Sequence, residues 1–301
     1  MSDITPLKLA DRPEINMFFH VYPPSISEFT FTNLYVWRHM RPIWKTVIND
    51  SCIFLIDGGL QHQNKKIMLG PPAGNLSVSE ALDYLQDQVA GAIRLPETAA
   101  SQLQKNNIEV FADRNNYDYV YKVADLAELR GRHYSKKRNH VKRCLEKYQC
   151  DYESITDDNI EECAAMIKRW CTVRECSNNP GLCGEYQAIV DTFNHYVDFG
   201  LLGGAIRVDG VIQAFAVAEK LTPDTAVWHF EKAMPEIQGL AQLINKWFAQ
   251  HHLKEFMFVN REQDLGISGL RQAKESYYPD HLVPKYNTMP VPPKSDITGC
   301  A

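Results

Sequence analysis

The chain has 301 residues, of which 45% are hydrophobic and 23% charged, with 16 glycines and 16 prolines. This composition is typical of a folded globular protein, and it excludes collagen-like, coiled-coil and disordered chains. A net charge of −5 argues against a bulk nucleic-acid coat protein, and the length predicts two domains of ordinary size.

The sequence patterns predict neither a targeting signal nor a membrane span. Its N-terminal residues include early acids and no apolar run of signal-peptide length, and no run of about 18 apolar residues occurs anywhere, so we expect a cytoplasmic protein without a transmembrane segment. The eight cysteines form no CxxC pair. We therefore expect reduced thiols rather than a zinc site or a disulfide set, and neither a metal nor a tightly bound cofactor.

The first half of the chain predicts helices, a meander, and further alternating elements. The predicted helices cover residues 11–19, 27–39, 77–89 and 97–105, and the predicted strands cover residues 43–48, 52–56, 66–69, 108–112 and 117–123. Turn signals at Asn49-Asp50 and at residues 57–59 make the first three strands an antiparallel meander. Ser77 and Glu80 form a capping box at the start of the third helix.

The second half repeats this order of elements. Its predicted helices cover residues 156–174, 185–199, 238–252 and 268–276, and its predicted strands cover residues 202–208, 211–220, 226–233, 255–259 and 282–287. Residues 110–114 also resemble residues 257–261, each group at a strand end. The shared order predicts a tandem duplication, with an N-terminal domain at residues 1–148, a C-terminal domain at 149–290 and a loose tail at 291–301.

Residues 130–147 are the most unusual segment. They hold eight Lys or Arg and one acid, a local charge of +7, which leaves −12 for the rest of the chain. Segregated charge of this kind favours an anionic partner, such as RNA phosphates or an anionic lipid surface, over an exposed linker helix paired with flanking acids. The candidate anion-binding residues are Arg132, Lys136, Lys137, Arg138, Lys142 and Arg143.

A second group of candidates lies at residues 260–279, where a strand ends in polar and charged side chains before a glycine-punctuated turn. Asn260, Arg261, Glu262 and Asp264 could supply a general base and an electrostatic partner. The Tyr277 hydroxyl could relay protons. The alternative is that these charges only keep a strand end soluble.

A third group lies around the strand that contains Trp228. Strict alternation would place Trp228, Phe230 and Lys232 on one face, and His229 and Glu231 on the other face towards a groove. Gly239, before the long helix, could present backbone N–H groups to an anion. The competing interpretation is that His229 is structural.

The residues quoted so far resemble a known family. Residues 31–37, 131–139 and 260–266, together with Gly269, Leu270, Arg271, Lys274, Ser276, Tyr277, Pro279, Lys285 and Tyr286, are similar to the phosphatidylglycerol lysyltransferase C-terminal domain family, in its short soluble branch. The resemblance implies an α+β protein with a tandem repeat of two acyl-CoA N-acyltransferase (GNAT)-like folds. It implies mixed, mostly antiparallel sheets flanked by helices, as in the Fem-type transferases that use aminoacyl-tRNA. Membrane-bound relatives transfer lysine or alanine from tRNA to phosphatidylglycerol.

On this resemblance we expect an aminoacyltransferase that moves an aminoacyl group from aminoacyl-tRNA to an amine or hydroxyl acceptor, such as a small molecule or the phosphatidylglycerol headgroup. Glu262 or Asp264 would be the base or the amine anchor, and Arg261 and Lys274 would be electrostatic contributors. Substrate contacts would come from His229, Glu231, Asn260, Lys274 and Gly239. Lys136, Lys137 and Arg138 would hold phosphates of the tRNA acceptor arm.

Two alternatives remain open from the sequence. An acyl-CoA-dependent N-acetyltransferase needs a pyrophosphate loop before the main helix, of which only residues 238–241 remain, with Glu236 adverse. The other alternative is a non-catalytic module that binds RNA or an anionic membrane surface.

Overall fold

The computed structural model describes residues 3–175 and 180–289. These residues form two compact units. The first comprises residues 3–118, 263–270 and 282–289, and the second comprises residues 119–175, 180–262 and 271–281. This division differs from the sequence-based boundary near residue 148, because residues 119–148 belong to the second unit. The predicted tail at 291–301 lies outside the described residues.

The first unit contains two sheets and short helices. Its elements are β1 (Thr5–Pro6), α1 (Arg12–Val21), α2 (Phe31–Val36), β2 (Ile43–Ile48), β3 (Ser51–Asp57), β4 (Lys66–Ala73), α3 (Val78–Tyr84), β5 (Val89–Ile93), β6 (Leu95–Pro96), α4 (Glu97–Lys105) and β7 (Phe111–Ala112). The predicted capping box is confirmed, because Ser77 accepts from the Glu80 backbone N–H and Glu80 accepts from the Ser77 N–H. Thr30 caps α2 through a bond from Asn33 N–H.

The larger sheet of the first unit has the order β1-β2-β3-β4-β5. Its pairs are antiparallel except β4 and β5, which run parallel with α3 between them in the chain. Ile53, Leu55 and Met68 of this sheet are fully buried with Ala81 and Leu85 from the α3 region, and they form the core.

The second unit contains the remaining elements. These are β8 (Asp118–Lys122), α5 (Val123–Glu128), α6 (Ser135–Lys147), β9 (Cys150–Ser154), α7 (Ile160–Val173), α8 (Pro180–Asn194), α9 (Tyr196–Phe199), β10 (Leu202–Val208), β11 (Val211–Lys220), β12 (Thr225–Ala233), α10 (Leu240–His251), β13 (Phe258–Asn260), α11 (Ser268–Glu275) and β14 (His281–Val283). The strands form a sheet of order β14-β8-β13-β12-β11-β10-β9. The ends of β8, α11 and β14 fall at the division between the units.

The same topology occurs in both units. Three antiparallel strands (β2 to β4, and β10 to β12) are followed by a helix (α3 or α10) and then by a strand parallel to the third (β5 or β13). The predicted tandem repeat and the α+β class with mixed, mostly antiparallel sheets are therefore confirmed.

One part of the predicted repeat is wrong. Because β5 and β13 are the equivalent parallel strands, residues 257–261 correspond to the end of β5 and not to residues 110–114, of which only β7 is a strand. The helix predicted for residues 77–89 ends at Tyr84, and β5 was missed. Its sequence contains Ala90, Gly91 and Ala92, which carry no strand preference. Gly91 is required there because a Cβ would lie 2.7 Å from Thr288 Oγ1.

The last predicted strand, residues 282–287, is two strands instead of one. Pro284 separates β14 from β15 (Lys285–Asn287), because proline has no N–H for the ladder. β15 lies between β6 and β7 in a three-stranded sheet of the first unit. The end of the described chain thus completes the first unit.

Two further sequence-based expectations meet the structure here. Cys171 is disulfide-bonded, so the prediction of wholly reduced thiols is wrong at this residue, whereas Cys52, Cys144, Cys150, Cys163 and Cys183 are free. Across the described ranges, no helix combines the length and the apolar character needed to cross a bilayer.

Candidate active site

The basic segment forms α6, a helix whose two sides differ in chemistry. At about 100° per residue, Lys136, Arg143 and Lys147 fall on one side, and Lys137, Val141 and Cys144 fall on the other. Val141 and Cys144 are buried. Helical spacing therefore separates one lysine, Lys137, from its neighbours and turns it towards the interior of the second unit.

The outer side of α6 is a surface of unpaired cations. Arg132, in the turn before the helix, and Lys136, Arg143 and Lys147 are exposed, and we call these four residues the cationic face. None of them forms an ion pair with any residue that the structure describes. The interpretation of the segment as a linker helix neutralised by flanking acids is therefore not supported, and the face is available to an external anion.

The other predicted anion-binding residues of this helix already have partners. Arg138 donates to the backbone carbonyls of Leu129 and Gly131, and Lys142 lies 3.6 Å from Glu146 one turn further on. Arg138 therefore holds the segment that precedes α6. Its guanidinium, which the sequence suggested as an anion contact, already binds these two carbonyls.

Gly239 marks a close contact between α6 and the N-terminus of α10. Its φ is +89°, and a Cβ at this position would lie 2.3 Å from the carbonyl oxygen of His140 in α6. Only glycine combines this backbone conformation with so close an approach. The predicted anion-binding turn at Gly239 is instead covered by the backbone of the basic helix.

A β-bulge at His229 shapes the next part of the site. In the pairing of β11 with β12, Trp228 lies opposite Ala218 and Phe230 opposite Val217, so His229 is an extra residue. A bulge reverses the side-chain alternation beyond it. The predicted common face for Trp228, Phe230 and Lys232 is therefore wrong.

Contacts on either side of the bulge agree with this reversal. Trp228 packs on Phe248 of α10 with ring centroids 4.7 Å apart, and Glu231 bonds Asn245 of the same helix. Lys232, by contrast, reaches Glu185 of α8 at 2.7 Å. The bulge thus brings Trp228 and Glu231 to the same side of the sheet.

His229 is held between two carboxylates. Its Nδ1 lies 2.9 Å from Glu262 Oε1 and its Nε2 lies 2.8 Å from Glu219 Oε1, and its side chain is only 2% exposed. Burial by itself lowers the pKa of His229, but the hydrogen bonds and charges of Glu219 and Glu262 outweigh it and raise the pKa to about 9. His229 is therefore an imidazolium at neutral pH that donates to both glutamates.

Glu262 is thereby fixed at the end of β13. Its backbone has a φ of +58°, and its N–H donates to Oδ1 of the fully buried Asn260 at 2.8 Å. The Lys274 ammonium donates to the backbone carbonyls of Arg261 and Glu262. Asn260, Lys274 and His229 together hold this strand end in one conformation.

Arg261 and Glu231 form the more open part of the site. Arg261 Nη2 lies 3.0 Å from Glu231 Oε2, with side chains 15% and 20% exposed. Asn245 Nδ2 donates to the same oxygen at 3.1 Å, which leaves Asn245 Oδ1 buried without a hydrogen-bond partner. The guanidinium lies 4.7 Å from the ring centroid of Trp228 and 5.4 Å from that of Tyr277.

Lys137 and Tyr277 complete this cluster. Lys137 Nζ lies 2.7 Å from Ser276 Oγ and 3.8 Å from the ring centroid of Tyr277. Tyr277 is buried, its carbonyl accepts from the Tyr134 hydroxyl at 2.7 Å, and burial raises the pKa of its phenol. The aromatic ring of Tyr277 thus contacts Lys137 and lies near Arg261, and its hydroxyl stays protonated.

Asp264 belongs to the first unit. It is fully buried, lies 3.1 Å from Arg114 Nη1, and accepts from Gly266 N–H at 2.7 Å. These bonds close the turn before α11. The predicted pairing of Glu262 and Asp264 as alternative bases therefore concerns two carboxylates with different surroundings, one bound to a histidine and the other to an arginine and a turn.

Two residues of the group around Arg261 and His229, Asn245 and Glu219, were missed from the sequence. A third, Lys137, was predicted to bind RNA, although its helical position beside Val141 and Cys144 indicates the inner side. Asn245 is a polar residue on the otherwise apolar buried face of α10, which is a usable signal. Glu219 gave no signal, because only the fold brings it to His229.

The described residues contain no group of three or more His, Cys, Asp or Glu side chains arranged to hold a metal ion. The chemistry that this arrangement can perform on its own is electrostatic and acid–base. Arg261, a cation beside buried aromatic rings, can stabilise a developing oxyanion. The half-buried amine of Lys137 lies over the ring of Tyr277, which is also near Arg261.

Solved structures share this fold. A conserved protein of unknown function from Bacteroides thetaiotaomicron is 31% identical, with 95% of this chain and 99% of that chain covered and a TM-score of 0.86. L-PGS from Bacillus licheniformis is 13% identical, with 92% and 91% covered and a TM-score of 0.64. FemX is 9% identical, with 95% and 97% covered and a TM-score of 0.58. At these low identities the last two show the common fold alone.

Sequence comparison identifies the family. No curated protein matches the chain significantly. The family profile described as "Phosphatidylglycerol lysyltransferase, C-terminal" matches residues 19–289, which include almost all of both units. The chain therefore belongs to the phosphatidylglycerol lysyltransferase C-terminal family and is a transferase.

Proposed function

We propose that this protein transfers an aminoacyl group from aminoacyl-tRNA to an amine or hydroxyl acceptor. The family to which it belongs is named for a lysyl transfer to phosphatidylglycerol, so the phosphatidylglycerol headgroup is one candidate acceptor and a small molecule is another. The proposal places the reaction in the second unit, around Arg261 and Glu231.

One observation carries the choice of donor. In α6, the carbonyl of His140 lies against Gly239 at the N-terminus of α10, while the cationic face on the outer side has no acidic partner among the described residues. An acyl-CoA enzyme of this fold class needs the turn before its main helix for the pyrophosphate. Here the basic helix α6 covers that turn, and the cationic face on its outer side is exposed to solvent. This arrangement favours tRNA phosphates over CoA.

The site chemistry fits attack on an ester carbonyl. The carbonyl oxygen gains negative charge as the acceptor attacks, and Arg261, held by Glu231 and the rings of Trp228 and Tyr277, is a preorganised cation for it. Glu262, which the sequence suggested as a base, is bonded to the charged His229. We assign Glu262, Asn260 and Lys274 to holding the strand end that carries Arg261.

The test is a transfer assay with the full chain. Total tRNA charged with radiolabelled amino acids is incubated with the protein and with two acceptor sets, vesicles containing phosphatidylglycerol and a panel of small amines and alcohols, and the label in each product is measured. Acetyl-CoA with the same acceptors is the parallel reaction. We expect label to move from tRNA to one acceptor set and no acetyl transfer.

The matched variants are Arg261→Met and Lys168→Met, since Lys168 is an exposed lysine on α7. Loss of one electrostatic donor of this kind costs about 10²–10³-fold in kcat, and we expect that loss for Arg261→Met with tRNA binding retained. Lys168→Met should behave as wild type. Acetyl transfer from acetyl-CoA without aminoacyl transfer would refute the proposal.

A further inference from the structure

Lys137 is separated from the other cations of its helix by its surroundings. Its Nζ approaches the Ser276 hydroxyl and the face of Tyr277, and Lys137 forms no ion pair with any described residue. Its neighbours Lys136 and Arg138 are exposed. A half-buried ammonium without a carboxylate partner is costly, so this position makes the Lys137 ammonium easier to deprotonate than an exposed lysine.

The nearby charges act in the same direction. Burial and then the positive charge of Arg261 lower the pKa of Lys137 to about 8, and the negative charge of Glu231 only partly opposes them. Tyr277 and Tyr134 cannot replace it as a base, because burial raises the pKa of both phenols. With a pKa of about 8 the Lys137 amine is partly neutral near neutral pH and can accept a proton, whereas the two phenols stay protonated.

The hydrogen bonds leave the amine able to do so. The Ser276 hydroxyl donates its hydrogen to the Ala273 carbonyl at 2.6 Å, so its oxygen accepts from Lys137 Nζ at 2.7 Å. A neutral amine has two N–H donors and one lone pair, and this bond uses a donor. The lone pair of Lys137 Nζ remains available. This nitrogen lies over the ring of Tyr277, which is also near the Arg261 guanidinium.

We propose that Lys137 is the catalytic proton acceptor for the incoming nucleophile, and not a contact to tRNA phosphates. This inference rests on the proposed aminoacyl transfer. The lone pair of the acceptor O–H or N–H forms a bond to the ester carbonyl carbon while its proton passes to Lys137 Nζ. The ester C–O bond then breaks with its electron pair on the ribose oxygen of tRNA, which takes the proton back from the Lys137 ammonium.

The test compares Lys137→Arg and Lys137→Met with Lys136→Gln, in single-turnover transfer from charged tRNA to a hydroxyl acceptor that does not titrate between pH 6 and 10. An arginine stays protonated and a methionine cannot accept a proton, so both Lys137 variants should lose about 10²–10⁴-fold in kcat with KM for charged tRNA close to wild type.

The wild-type rate should rise with pH to a plateau above about 8, and the variants should lack this rise. Lys136→Gln should raise KM and keep the wild-type pH profile.

A second measurement does not depend on turnover. In protein labelled with ¹³Cε-lysine, the resonance missing from Lys137→Arg belongs to Lys137, and its titration midpoint should lie near 8. A midpoint above 10, or a Lys137→Arg variant that keeps the wild-type rate and pH profile, would overturn the inference while the proposed function stands. No transfer by wild-type protein from any charged tRNA would overturn the proposed function and this role together.

Discussion

Each unit places an arginine directly after its parallel strand, and the two arginines have different surroundings. Arg94 follows β5 and pairs with Glu28 and Asp113, whose side chains are 2% and 4% exposed. Arg261 follows β13 and pairs with Glu231, which is 20% exposed. The two arginines are almost equally exposed, at 16% and 15%, so the difference lies in their carboxylate partners. We call the Arg94 group, with its buried carboxylates, the closed cluster and the Arg261 group the open cluster.

The closed cluster continues into the interior of the first unit. Lys285 of β15 is fully buried and lies 2.6 Å from both Glu28 and Asp118, and Ser27 and Gln263 donate further bonds to these carboxylates. Lys285, Glu28 and Asp118 are buried and paired with one another, whereas Arg94 is 16% exposed. Such a cluster fixes β15 in place.

The open cluster contains polar groups without a hydrogen-bond or ion-pair partner among the described residues. Asn245 Oδ1 is buried without a partner, and the Lys137 amine has no carboxylate in contact within the described residues. Groups that are held in place but incompletely paired are what chemistry on an external molecule requires. The comparison favours a role in stability for the first cluster and supports the proposed transfer at the second.

Replacement of Lys285 should produce the largest effect on folding. Lys285→Met leaves Glu28 and Asp118 buried without their cation, and breaking a buried pair in this way costs about 3–5 kcal/mol. Urea unfolding should show this loss, and Lys122→Met, at an exposed pair with Asp280, should show almost none. If both variants unfold at the same urea concentration as wild type, the closed cluster is not a structural centre.

His229 should give stability a specific pH dependence. Its pKa is raised to about 9 in the folded protein, above the usual unfolded value of about 6.5. Its contribution is therefore complete below pH 6.5 and is lost as the pH rises through about 9, on the order of 3 kcal/mol in total.

The measurement is the unfolding free energy of wild type and His229→Gln between pH 6 and 10. The difference between the two proteins should shrink as the pH rises, because wild type loses the stabilisation that charged His229 provides. Contributions from other groups, such as Lys137, cancel in the comparison. A difference that stays constant over this range would show that His229 is not charged between Glu219 and Glu262.

These two clusters also show how far the sequence could lead. The meander, the capping box at Ser77 and the tandem order follow from local patterns, and the spacing within α6 was enough to place Lys137 inside. The bulge at His229, and the pairing of β15 with β6 and β7 of the first unit, depend on contacts between strands that are distant in the sequence. No local pattern encodes the contact of Lys285 with Glu28, which is why the closed cluster was not predicted.

The cationic face should produce the smallest change in the fold and a clear change in binding. The variant with Lys136, Arg143 and Lys147 all replaced by Gln should keep the wild-type unfolding free energy, because these side chains have no ion pair among the described residues. Loss of three phosphate contacts should flatten the salt dependence of tRNA binding by a slope of roughly 2–3 in log K against log salt.

The salt dependence of tRNA binding, measured beside acetyl-CoA, is the most direct test of the central claim that the second unit uses a tRNA-borne donor. We expect wild-type protein to bind tRNA with an affinity that falls steeply with salt, the triple variant to bind weakly with a flatter slope, and acetyl-CoA to bind neither protein. Tight binding of acetyl-CoA, together with tRNA binding that is weak and the same in both proteins, would contradict the account.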